Sequence, residues 1–186
     1  IRNLICLIGL LCISPFILLA GLVIALEDGF PIFFYQERLG KNKEIFKIIK
    51  LRTLKTNAPH AGTHTLNRSY QLVSGRVVRK IKLDEFPQLI NVLRGEISLI
   101  GPRPGLISQD ELTKARTSKN IYDIKPGITG LAQIMGYDMS NPSMLAEIDS
   151  LYLNRRSFAL DITILAGTFF NYPKEYLRIK LKIEPI

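Results

Sequence analysis

The chain has 186 residues, with 25 Lys+Arg against 16 Asp+Glu, a formal net charge of +9, and 47% hydrophobic residues. That length suits one domain with a small appendage, and a chain this apolar is not intrinsically disordered. Two cysteines form one bridge at most, which excludes a disulfide-stapled secreted fold. A basic balance with a positive mean hydropathy of +0.15 points to a protein that meets anions at a membrane.

No formal charge occurs from Asn3 to Leu26; Arg2 precedes this run and Glu27-Asp28 come after it. As a continuous helix it reaches about 36 Å, enough to cross a hydrocarbon core of about 30 Å. A cleaved signal peptide fits poorly. The apolar region exceeds the usual length of about 7–15 residues, and Glu27-Asp28-Gly29-Phe30-Pro31 is not a small-residue cleavage site. Ser14-Pro15 lies near the middle of the run, where proline removes a backbone hydrogen bond and crowds the preceding turn. The Ser14 hydroxyl offers a donor to a carbonyl that Pro15 frees. Two readings stay open here: a kinked helix that spans the bilayer, or a broken helix that dips in and returns. The residues alone favour the kinked span. Cys6 and Cys12 read as small apolar fillers.

Residues 38–55 carry Arg38, Lys41, Lys43, Lys47, Lys50, Arg52 and Lys55 against Glu44. The positive-inside rule puts this stretch on the cytoplasmic side, where each cation near the surface gains about 1 kcal/mol from anionic headgroups. Within it, Ile32–Tyr35 and Ile45–Leu51 read as strands around a Leu39-Gly40-Lys41-Asn42 turn. Residues 53–69 read as an exposed loop. His60 and His64 stand four apart in that loop, but Pro59 and Gly62 break any helix there and no Cys or acid is near. Exposed histidines are therefore a better account than zinc.

Leu83, Phe86, Leu89, Ile90 and Leu93 follow helical spacing, with Gly95 placed to end the helix. Pro87 is tolerable only in a first turn, so the helix is expected to begin near Asp84, with Asp84 and Glu85 at its N-terminus. Ile97–Ile100 leads into the rigid turn Gly101-Pro102-Arg103-Pro104-Gly105, and Lys125–Gly130 forms a second glycine-proline loop. Asn141-Pro142 reads as an N-cap and first helical residue, with Met144, Ile148, Leu151 and Tyr152 as the buried stripe. Phe158–Phe170 is strongly apolar. The tail after it, with Lys174, Arg178, Lys180 and Lys182, suits either an interfacial helix or a core helix.

A Walker loop, a Gly-x-Gly-x-x-Gly turn, a Cys/His zinc pattern and a Gly-x-Ser-x-Gly elbow are all missing. The remaining chemical candidate is Asp84-Glu85 with basic residues on either side. One carboxylate is suited to attack phosphorus and form an acyl phosphate, and the other to help hold Mg²⁺ beside substrate phosphates. Arg79 and Arg103 carry the guanidinium fork that fits phosphate oxygens. Acid pairs at helix starts more often serve only as caps and dipole partners, so residue chemistry alone stops at a membrane-attached basic protein suited to phosphoryl chemistry.

The order of the segments adds more. Residues 33–40 (Phe-Phe-Tyr-Gln-Glu-Arg-Leu-Gly) and 46–53 (Phe-Lys-Ile-Ile-Lys-Leu-Arg-Thr) resemble the opening of the bacterial sugar transferase family, the monotopic phosphoglycosyl transferases. Leu83-Asp84-Glu85-Phe86-Pro87-Gln88-Leu89-Ile90-Asn91-Val92-Leu93-Arg94-Gly95, continuing through Gly101-Pro102-Arg103-Pro104, resembles the central motif. Lys125–Gln133 is similar to the next block, and Asp149-Ser150-Leu151-Tyr152 with Ser157 and Leu160-Asp161 to the last. Lys82 replaces a usual serine, Phe86 a common leucine, and Met135-Gly136-Tyr137 stands where Asn-Gly-Arg is common.

The resemblance implies an enzyme that moves a phospho-sugar from a UDP-sugar to membrane polyprenol phosphate, releases UMP and needs Mg²⁺, at the cytoplasmic face of the bacterial inner membrane. It implies Asp84 as nucleophile with Glu85 as acidic partner, one or both near the metal. Lys50, Arg79 and Arg103 would meet phosphates, and Pro102 and Pro104 would shape the nucleotide site. Ser14-Pro15 would make the membrane helix re-entrant, which reverses the preference above. The expected fold is α+β, mainly helical: a re-entrant, Pro-broken helix over 1–26 and a catalytic domain with interfacial amphipathic helices over 27–186. The expected role is glycoconjugate initiation, with no nucleic-acid partner. The competing expectation is a non-catalytic basic module that binds anionic lipid or nucleic acid.

Overall fold

A computed structural model of the chain describes residues 2–59 and 68–183. The expected histidine pair, His60 and His64, lies outside the described residues. Among the described residues the fold is mainly helical, with four short strands. It divides into two compact units, one of residues 1–36 and 47–94, the other of residues 37–46 and 95–186.

The first unit opens with α1, Arg2–Asp28, which runs as one helix through Pro15. The expected break at Ser14-Pro15 is therefore corrected. Pro15 has no N–H for the Leu11 carbonyl, four residues back, and Ser14 Oγ donates to that oxygen instead at 2.8 Å. One stripe of α1, with Ile17, Ala20 and Ile24, is buried against Leu51, Leu72, Val78 and Leu83. The rest stays uncovered: Leu11, Leu18 and Leu26 are 64%, 68% and 79% exposed. A helix serving only as core would not leave that much apolar surface open. Cys6 is buried and Cys12 exposed, both as free thiols.

Strands β1 (Phe33–Leu39) and β2 (Ile45–Leu51) form a two-stranded sheet. β1 runs four residues beyond its expected end because Gly40 N donates to Glu44 O at 2.7 Å, so the hairpin closes only at Gly40. Helix α2, Val73–Lys80, comes next among the named helices, and the 3-10 turn Leu83–Gln88 leads into α3, Leu89–Leu93. The expected helix from Asp84 is thus a tight turn followed by a short α-helix. Gly95, at φ +77, ends it in the left-handed conformation that glycine adopts without strain. Asn91 is wholly buried and fastens α3 to β2: its Oδ1 accepts from Ile49 N (3.1 Å) and its Nδ2 donates to Lys47 O (2.8 Å).

In the second unit, β3 (Ser98–Ile100) pairs in parallel with β4 (Gly127–Thr129), Ser98 opposite Gly127 and Ile100 opposite Thr129. The second glycine-proline loop therefore contains a strand. A Cβ at Gly127 would stand 2.2 Å from Gly101 N, so only glycine permits this approach. Around the pair lie α4 (Asp110–Thr117), α5 (Leu131–Met135), α6 (Pro142–Arg155), α7 (Phe158–Gly167) and α8 (Asn171–Leu181). Their core includes Leu112, Leu131, Leu145, Tyr152, Ile164 and Leu177. Asn141 caps α6 as expected, accepting from Met144 N at 3.1 Å with Pro142 next. Met144 itself is 42% exposed, and Leu145 takes its place in the buried stripe.

Candidate active site

Two acids at the end of α1 fasten it to the rest of its unit. Arg52, just after β2, bonds the Asp28 carboxylate, and its Nε donates to Pro31 O at 2.6 Å. Glu27 accepts from Val73 N (2.6 Å) and Ser74 N (3.0 Å), closing the first turn of α2 with a carboxylate. α2 also lies hard against the chain at Thr53, since a Cβ on Gly75 would come 2.4 Å from Thr53 O. That closeness lets Arg79, in the last turn of α2, donate from Nε to Thr53 Oγ1 at 2.7 Å.

Lys82 takes a left-handed conformation (φ 58) between α2 and the 3-10 turn, which redirects the chain so that Asp84 and Glu85 fall in the turn's first residues. Lys50 Nζ, on β2, lies 3.0 Å from Glu85 Oε1. Asp84 is only 9% exposed. Burial pushes its carboxyl above the ordinary 3.8; Lys50 pulls it down, Glu85 pushes it up and Arg79 pulls it down, and burial prevails. A desolvated carboxylate with two cations near it is an environment suited to nucleophilic chemistry. No side chain caps this turn.

Lys50, Arg79, Asp84 and Glu85 therefore meet in the first unit, although 35 residues separate Lys50 from Glu85. Pro102, Arg103 and Pro104 belong to the second unit. There both prolines are buried and Arg103 is half-buried. With the Gln133 amide oriented by its surroundings, its oxygen accepts from Arg103 Nη1 at 2.7 Å and its nitrogen donates to Ile128 O at 3.3 Å. Arg116 Nη1 donates to Arg103 O at 2.8 Å. Sequence reasoning missed Thr53, Asn91 and Arg116, whose partners lie 13 to 44 residues away. Thr53 and Asn91 sat inside motifs that could have drawn notice; Arg116 did not.

Among the described residues no group of three or more His, Cys, Asp or Glu side chains gathers as a metal cage. Asp84 and Glu85 are an adjacent carboxylate pair beside Lys50 and Arg79. They suit a Mg²⁺ that arrives with phosphate oxygens, because Mg²⁺ needs only one or two protein carboxylates in such sites.

The bacterial sugar transferase family model matches residues 2–175. The chain is 38% identical over 159 residues to the uncharacterized sugar transferase EpsL of Bacillus subtilis, covering 86% of this chain and 78% of that protein. It is 36% identical over 166 residues to a UDP-glucose:undecaprenyl-phosphate glucose-1-phosphate transferase of Caulobacter vibrioides, covering 83% of this chain and 61% of that longer protein. It is 33% identical over 183 residues to the exopolysaccharide production protein ExoY of Sinorhizobium fredii, covering 89% of this chain and 80% of the relative. The chain belongs to the bacterial sugar transferase family.

Proposed function

We propose that this chain transfers a sugar 1-phosphate from a UDP-sugar to a membrane polyprenol phosphate, and so begins glycoconjugate assembly. The observation that carries the reading is the buried Asp84, raised in pKa by desolvation, with Lys50 and Arg79 as its cations and Glu85 beside it. Relatives named as UDP-glucose:undecaprenyl-phosphate glucose-1-phosphate transferases support the substrate classes. A module that only binds anions needs no desolvated carboxylate.

In the first step an Asp84 carboxylate oxygen attacks the phosphorus that bears the sugar. The bond from that phosphorus to the UMP oxygen breaks, and UMP leaves with the electron pair. In the second step a phosphate oxygen of the polyprenol phosphate attacks the same phosphorus. The aspartyl bond then breaks, restoring the Asp84 carboxylate and completing a lipid diphosphate-sugar. Lys50, Arg79 and Arg103 contact phosphate oxygens and counter charge gathered on them. Asp84 and Glu85 would hold a Mg²⁺, which would supply further neutralisation of the diphosphate. Pro102 and Pro104 hold the turn that borders the nucleotide.

The uncovered apolar face of α1 is proposed to lie in the bilayer, with the catalytic residues at the cytoplasmic face. α1 does not stand clear of its unit: Leu89 lies 3.7 Å from the Cβ position of Gly9, while Ile24 packs in the core at the other end. A helix crossing perpendicularly would carry α3 and its buried Asn91 deep into hydrocarbon, so the contacts favour both ends on one side. Phe158, Phe170, Tyr172 and Ile179, 65% to 83% exposed on and between α7 and α8, suit the headgroup boundary. Incubation with a panel of UDP-sugars, polyprenol phosphate and Mg²⁺ tests the reading: UMP release that requires the lipid phosphate for turnover is expected, and its absence across the panel rejects it.

A further inference from the structure

Four successive carbonyls of the Pro-Arg-Pro turn each have a donor. Pro102 O accepts from Gly127 N (2.9 Å), Arg103 O from Arg116 Nη1 (2.8 Å), Pro104 O from Arg38 Nη1 (3.1 Å) and Gly105 O from Leu39 N (3.1 Å). The donor on Arg103 differs in kind. Arg116, on α4, is 2% exposed, and its Nε and Nη2 both donate to Asp149 Oδ2 on α6, at 3.0 and 2.6 Å. Asp149 is likewise 2% exposed.

Burying two charges costs more than an apolar contact of the same size would, and Leu112 and Leu145 already supply such contacts in this core. What the pair adds is direction. A guanidinium is a rigid planar fork, so once Nε and Nη2 are fixed on one carboxylate oxygen, Nη1 can point only one way. It points at the Arg103 carbonyl, while Gln133 meets the Arg103 guanidinium at its other end.

We propose that Arg116 and Asp149 are positioning residues: together they lock the backbone at Arg103 so that its guanidinium is presented to a substrate phosphate in one orientation. The proposal rests on the phosphate-binding role given to Arg103 above. Neither Arg116 nor Asp149 need touch substrate. Their contribution is to remove, before binding, the freedom of the turn that would otherwise be lost on binding.

Two variants test this. Arg116→Lys keeps the charge opposite Asp149 but lacks the fork, and Arg116→Met with Asp149→Leu replaces the pair by apolar residues of similar size, a change that buried pairs often tolerate. In both, hydrogen exchange of residues 101–106 is expected to quicken about tenfold or more while α4 and α6 keep their protection. In UMP-release assays kcat/KM for the UDP-sugar is expected to fall about 10- to 100-fold, mainly through KM. In an Arg103→Ala background the same changes should cause little further loss, because the device then has nothing to aim. Unaltered exchange in the turn, or an undiminished further loss without Arg103, overturns the proposal. If the apolar pair fails to fold, Arg116→Lys decides by the same readouts. The exchange measurement needs no turnover, so failure of the transferase reading shows separately, as a wild-type chain that releases no UMP.

Discussion

Lys50 Nζ and Glu85 Oε1 lie 3.0 Å apart, which brings a strand cation to the acid next to the buried Asp84. Lys50 also lowers the cost of charging Asp84, against a burial effect that prevails. Lys50→Met is therefore expected to move the acidic limb of the kcat/KM profile, already above the ordinary aspartate value, to still higher pH. The rate on the plateau should fall about 10²-fold, as when one donor to a developing charge is removed. A pH–rate series on both proteins checks this; a limb that stays in place separates Lys50 from Asp84.

Asp84 carries a folded-state pKa above its unfolded value, so the folded chain holds that proton more tightly. Its contribution to stability is most favourable below the unfolded value and is lost as pH rises through the folded one. At neutral pH the ionised Asp84 thus opposes folding. Asp84→Asn is expected to abolish turnover and raise the thermal midpoint by about 2–4 °C, on the order of 1 kcal/mol. The gain should shrink as the pH is lowered toward 4. Thermal melts across pH read both effects.

Gly75→Ala sets two effects against each other. Alanine favours an exposed helix over glycine by about 1 kcal/mol, but here its Cβ would stand 2.4 Å from the Thr53 carbonyl. The clash is with backbone, so it prevails, and a net loss of about 1–3 kcal/mol is expected. Arg79 would leave Thr53 Oγ1 as α2 moves away, so activity should fall by more than the folded fraction does. Chemical denaturation and kinetics on the same preparation separate the two losses.

For topology, tags at both chain ends are expected to react with impermeant reagents only after the cytoplasmic side is opened. The contacts of α1 with its unit at both Gly9 and Ile24 motivate this. Ser14→Ala, which strips the donor from the Leu11 carbonyl, should weaken membrane retention only slightly, by about 0.6 kcal/mol. Labelling of the N-terminal tag from outside would establish a spanning helix.

Local signals carried well from sequence to structure. β2 occupies the residues 45–51 expected of it, Asn141 caps α6, and Gly95 closes α3 with positive φ. Ser14 also meets the carbonyl freed by Pro15, although the helix stays whole where a break was expected. The features that stayed hidden depend on residues far apart in the chain. Arg116 looks like one more surface cation on a charged helix until Asp149, 33 residues on, comes to face it. α2 was not read from the sequence; it buries Val78 and leaves Val73 and Val77 exposed. The Asp84–Glu85 pair was legible as a motif; its burial and the approach of Lys50 were not, since both arise from packing on β2 and α1.

The central claim is a covalent bond at Asp84, and the direct test omits the lipid acceptor. The chain is mixed with Mg²⁺ and a UDP-sugar labelled in the phosphate next to the sugar, then quenched and examined by mass spectrometry. The account predicts one UMP released per active chain and a phospho-sugar on the peptide bearing Asp84, lost when polyprenol phosphate is added and never formed by Asp84→Asn. Label that persists in Asp84→Asn, or UMP that appears only when both substrates are present, would contradict it.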